Sequence, residues 1–99
     1  MKVKVQSIHF DADSKLLEFV EEKVEKLNHF YEDIIDSEVF LRLDKADEKS
    51  NKIAEIKVNT PGKTHFAKEQ CKTFEEATDS AVESLRKQIT KHKEKMRGN

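Results

Sequence analysis

The segment AEIKVNTPGKTHFAKEQ, residues 54–70, decides the fold. Ala54, Ile56 and Val58 alternate with polar residues, the period of two expected of a strand with one buried face. Asn59-Thr60-Pro61-Gly62 then supplies turn chemistry, because proline presets φ and glycine accepts a positive φ without a Cβ clash. A further strand runs from about Lys63 to Gln70, so the chain folds back on itself.

The pattern extends in both directions. From Ile34 to Leu43 the period is again two, with Val39, Leu41 and Leu43 on one face and Glu38, Phe40 and Arg42 on the other. The intervening DKADEKSN, residues 44–51, has no apolar residue but Ala46 and reads as a solvated link between antiparallel strands. Upstream, Leu17, Val20, Val24, Leu27 and Tyr31 recur every three or four residues, which predicts a helix over about 13–31 capped by Asp11 or Asp13. Before it, Val3 and Val5 alternate with Lys2, Lys4 and Gln6 in a first strand. Downstream, Thr73-Phe74-Glu75-Glu76 fits a capping box. A stripe of Phe74, Ala77, Ala81, Leu85, Ile89, His92 and Met96 follows, with the helix ending near Gly98.

The order is therefore β-α-β-β-β-α. A crossover through the first helix makes the first two strands parallel neighbours, and the short links make the rest a meander. One apolar face per strand puts both helices on one side, an α+β two-layer sandwich with a four-stranded mixed sheet. We expect a single domain over 1–97 and a short tail at 98–99.

Ninety-nine residues with 35% hydrophobic and 39% charged content suit one small core and leave little room for an enclosed cofactor. No apolar run approaches the ~20 residues of a membrane span, and Met1–Val5 lacks a signal-peptide core. A single cysteine, Cys71, cannot form an internal disulfide. These features predict a cytoplasmic protein without cofactor, membrane partner or small-molecule substrate. His9, His29, His65, His92 and Cys71 show no metal-ligand spacing. His92 lies on the stripe of the second helix, and the other histidines read as surface residues. Cys71 reads as a small buried thiol. With only Gly62 and Gly98 there is no glycine-rich phosphate loop, and nothing has the pattern of an active site.

Charge is unevenly spread. Residues 1–50 carry eight Lys/Arg against thirteen Asp/Glu, and residues 51–99 carry eleven against seven. Over 86–97 there are six basic residues and only Glu94 opposing them. Lys87, Lys91 and Lys95, spaced four apart, share a helix edge, and Arg86, Lys93 and Arg97 form another. Lys23 and Lys26 are adjacent on the first helix. Such rows can lie along a phosphate backbone without reading its sequence. Two basic helix edges side by side would make a cleft, provided Glu18, Glu21, Glu22 and Glu25 point elsewhere. The competing reading is a protein-interaction adaptor docking through the acidic first half; a thiol enzyme using Cys71 is a further alternative.

Phe19-Val20-Glu21-Glu22-Lys23-Val24-Glu25-Lys26-Leu27 and Lys87-Gln88-Ile89-Thr90-Lys91-His92-Lys93-Glu94-Lys95 resemble the short ribosome hibernation-promoting factors of bacteria, over nearly the whole chain. The resemblance implies the same β-α-β-β-β-α fold. It also implies a non-enzymatic stress and stationary-phase translation inhibitor, monomeric when free, lodged in the messenger and transfer RNA paths of the small ribosomal subunit. Ribosomal RNA would be contacted by Lys23, Lys26, Arg86, Lys87, Lys91, His92, Lys93 and Lys95, with Arg42 and Lys45 adding to them. Ser84 stands where relatives often carry a basic residue, and Thr73-Phe74-Glu75 replaces a common D-M-Y. Ending at Asn99, the chain is expected to lack the dimerisation domain of long-form relatives.

Overall fold

The computed structural model describes residues 1–96, so Arg97, the expected helix end near Gly98 and the expected tail lie outside the described residues. The elements are β1 (Lys2–Ser7), α1 (Ser14–Glu25), a 3-10 turn (Lys26–His29), β2 (Asp36–Leu43), β3 (Lys52–Thr60), β4 (Lys63–Cys71) and α2 (Phe74–Met96). The sheet order is β1-β2-β3-β4, with β1 parallel to β2 and both later pairs antiparallel. This is the expected four-stranded mixed sheet under two helices.

Local chemistry accounts for the boundaries. Asp13 caps α1, its carboxylate accepting from the Leu16 N–H at 2.8 Å. The Thr73 hydroxyl accepts from the Glu76 N–H at 3.0 Å and starts α2. Pro61-Gly62 forms a two-residue turn between paired Thr60 and Lys63, with Gly62 at φ +78°, the left-handed position of a type II turn. The first helix is shorter than its pattern suggests. Beyond Glu25 the chain tightens into a 3-10 turn, and the Asn28 amide donates to the carbonyls of Tyr31 and Glu32 just after it. The apolar stripe survives this change of pitch, since Leu27 and Tyr31 are both buried.

The core lies between the helices and one sheet face. Val20, Val24, Leu27, Val39, Leu41, Ile56, Val58, Ala81, Leu85 and Ile89 are fully excluded from solvent. Each Leu or Ile so placed contributes roughly 1.5–3 kcal/mol. Leu43 and Met96 continue their stripes in sequence, yet they are 40% and 62% exposed, because both lie at the margin of the core. The largest departure is His65. It reads as a surface residue, yet it is 1% exposed, because it alternates with Ala67 on the inward side of β4.

Candidate nucleic-acid interface

Helix α2 starts just after β4 and runs back along it. Ser80 donates to Glu69 at 2.7 Å and Gln88 donates to the Phe66 carbonyl at 3.0 Å. The second half of α2 therefore arrives beside the β3–β4 hairpin, and the two basic rows fall on opposite flanks of the helix.

One flank faces α1 and the turn after it. Arg86 lies over the Phe30 ring, its Cζ 5.7 Å from the centroid, while its guanidinium donates to Glu83. That hydrogen bond holds the Glu83 carboxyl below its ordinary range. Lys93 donates to the Phe30 carbonyl at 3.2 Å. Lys23 reaches across from α1 to Asp79 at 3.3 Å and lies over the Phe19 ring. Glu18, Glu21, Glu22 and Glu25 stay exposed on the outer side of α1, which removes them from this seam.

The other flank faces the hairpin. Lys91 and Lys95 line a depression of ≈ 180 Å³ with Gln88, His92 and Lys63. Lys87 is exposed on α2. Among the described residues, Lys26, Lys87, Lys91 and Lys95 have no carboxylate within ion-pair distance. The helix C-terminus also favours cations in its last turn. Of the two rows on α2, Arg86 and Lys93 lie on the flank beside Lys23 of α1, whereas Lys91 and Lys95 face the β3–β4 hairpin.

His92 stands between the flanks. Its ring is nearly parallel to that of Tyr31, with centroids 6.2 Å apart, and edge-on to His65. Burial, followed by the charges of His92 and Lys63, pushes the His65 pKa down. The Thr60 hydroxyl donates to the Lys63 carbonyl at 3.0 Å, so towards His65 Nε2, 3.2 Å away, it can only accept. This assigns the proton of neutral His65 to Nε2 and leaves the buried Nδ1, which has no partner among the described residues, as a bare acceptor.

Arg42 and Lys45 belong to another region. Arg42 points to the sheet face away from the helices, opposite inward Leu41, and pairs with Glu55. Lys45 sits in the β2–β3 link beside Asp44, Asp47 and Glu48, at the end of β3 far from the hairpin. That link is shaped by Asp44 accepting from the Ala46 N–H and by Gln70 donating to Asp44 and the Ser50 carbonyl. Lys63 has no place in the helical rows, and sequence reasoning missed it; its position directly after the Pro61-Gly62 turn was the only signal.

A two-layer βαβββα sandwich carrying lysines without ion-pair partners among the described residues on its last helix defines a small α+β protein with a basic flank. Residues 3–97 match the family described as Sigma 54 modulation protein / S30EA ribosomal protein, and the chain belongs to that family. It is 25% identical over 95 residues to a ribosome hibernation promoting factor of Pseudomonas putida, covering 96% of this chain and 89% of that one. A ribosomal subunit interface protein from Coxiella burnetii has the same fold, with TM-score 0.83 and 22% identity over 94% of this chain and 98% of that one. So does the N-terminal domain of Thermus thermophilus Protein Y, with TM-score 0.80 and 24% identity over 93% and 99%.

Proposed function

We propose that this protein binds the ribosome as a hibernation factor and inhibits translation by occupying the messenger and transfer RNA paths of the small subunit. The observation that carries the reading is the row of exposed lysines on α2, Lys87, Lys91 and Lys95, without carboxylate partners among the described residues. Family membership and the hibernation-factor name of the Pseudomonas putida relative support it. Ammonium groups along one helix match the spacing of phosphates and bind them as point charges, which suits folded RNA recognised by shape rather than by base edges.

The residues divide by what they must give up. Lys26, Lys87, Lys91 and Lys95 engage phosphate directly. Lys23 and Arg86 exchange Asp79 and Glu83 for it, and Lys93 with His92 borders the same end of α2. Arg42 and Lys45 form a second, weaker contact on the far side, where their acidic neighbours oppose it. The protein acts by occupancy in the cytoplasm during stress or stationary phase, as a monomer, without a cofactor or a catalysed reaction.

Sedimentation of the purified protein with ribosomes and separated subunits, at low and high salt and with and without messenger RNA, tests this. Co-migration with the small subunit that salt or messenger weakens is the expected result. A protein that stays at the top of the gradient at every salt concentration refutes the reading and turns attention to the acidic face of α1 as an adaptor surface.

A further inference from the structure

We infer that Lys63, Lys91 and Lys95 form one phosphate-binding site, which makes the β3–β4 hairpin a third RNA-contacting element beside the two helices. The inference rests on the RNA-binding function proposed above and adds to it a residue, an element and a geometry.

The three lysines converge on a single depression of ≈ 180 Å³, whose other lining residues are Gln88 and His92. At about 30 Å³ per water, that volume admits a phosphate group with part of its hydration shell. Among the described residues, no carboxylate lines it. The larger depression, ≈ 490 Å³ beside the 3-10 turn, contrasts with it, because there Lys93 and His29 are balanced by Glu32 and Asp33. Ammonium groups brought together from separate elements repel one another, and a bound anion relieves that repulsion.

The hairpin is fixed against α2 rather than merely near it. The Thr60 hydroxyl donates to the Lys63 carbonyl and accepts from His65. The His65 ring meets His92 of α2 at a centroid distance of 5.2 Å. Gln88 of α2 donates to the carbonyl of Phe66, the residue after His65. Lys63 is thus tied through buried groups to the helix that carries Lys91 and Lys95, and an arriving phosphate meets backbones already in place. Gln88 commits both amide hydrogens to the Phe66 carbonyl and the Ser84 hydroxyl, so the three ammonium groups are what an anion meets. Lysine in all three positions presents compact point charges, which bind a backbone phosphate without a bidentate geometry.

The test uses the full chain and the salt dependence of its binding to small ribosomal subunits. Wild type is compared with Lys63→Ala, Lys63→Arg, and Lys68→Ala, which removes an exposed β4 lysine outside the depression. One phosphate contact released as a counterion is worth roughly eightfold in affinity at 0.1 M salt, and about one unit of salt slope. Lys63→Ala is expected to lose both, Lys63→Arg to recover most of the loss, and Lys68→Ala to match wild type. All three substitute exposed side chains, and unchanged thermal melting verifies their folding. The double variant Lys63→Ala/Lys91→Ala is expected to lose less than the sum of the single variants, because the two share one phosphate. Wild-type binding that Lys63→Ala leaves unchanged in affinity and slope overturns this site while the RNA-binding function stands. Additive losses in the double variant overturn the shared site in the same way. Wild type that fails to bind subunits overturns both.

Discussion

The imidazole rings of His65 and His92 meet edge-on inside the protein, 66° apart in plane with centroids separated by 5.2 Å. One ring comes from β4 and the other from α2, so the contact joins the sheet to the helix that carries most of the basic charge. It also gives the fold a defined response to protons. His65 is buried neutral with its pKa pushed down by burial, His92 and Lys63, and among the described residues its Nδ1 has no partner to receive a new N–H. The unfolded chain, with an ordinary imidazole pKa of about 6.5, binds the proton more readily than the native one. Stability is therefore full above pH 6.5 and is lost as pH falls from there through the lowered folded value. Urea midpoints measured from pH 8 to pH 5 are expected to fall over that window in wild type and to flatten in His65→Gln. An equally steep fall in His65→Gln would remove His65 as the cause.

Leu85 is fully buried in the middle of α2 against the sheet. Its truncation in Leu85→Ala removes apolar area and leaves a cavity, at a cost of about 2–5 kcal/mol. Chemical denaturation should show this as a lower midpoint at unchanged slope.

Gly62 has φ +78°, and a Cβ built there would meet nothing within 4 Å. Only backbone strain opposes a side chain, so Gly62→Ala is expected to cost about 1–2 kcal/mol. Asn, which tolerates the left-handed region, should cost less. Thermal melting of the two variants checks the order.

Lys87 and Lys91 are exposed and unpaired among the described residues, whereas Lys23 is committed to Asp79. Lys91→Ala is expected to lower the salt slope of ribosome binding by about one unit. Lys23→Ala should lower it less, since its ion pair must break before a phosphate is gained. Charge reversal in Lys87→Glu with Lys91→Glu is expected to abolish co-sedimentation.

The Cys71 thiol is pushed above its ordinary range by partial burial and by the charges of Glu76 and Glu69. Thiolate is the reactive form, so alkylation by iodoacetamide at pH 7.5 should run slower than for free cysteine. Cys71→Ser is expected to bind ribosomes as wild type does.

Much of this molecule was legible in the chain because the signals are local. The alternation of Ala54, Ile56 and Val58, the Pro61-Gly62 turn, and the Asp13 and Thr73 caps each depend on residues within a few positions of one another. These local signals determined the element order, the parallel first pair and the common side of the helices. The candidate site was legible only as rows: periodicity placed Lys87, Lys91 and Lys95 on one edge and Arg86 with Lys93 on another, but could not say what each edge faces.

That was decided in three dimensions. The direction in which α2 runs back along β4 sends one row to Phe30 and the other to Lys63. The inward register of β4 buries His65, a residue type found equally on surfaces and in cores. The pleat sends Arg42 to the sheet face away from the helices. The sequence by itself determined which elements exist and where their apolar faces lie, because backbone hydrogen bonding and side-chain periodicity act over a few residues. Only the tertiary structure decided which charges meet, because contacts between residues as distant in the chain as Lys63 and Lys95 are set by packing, and no local pattern encodes them.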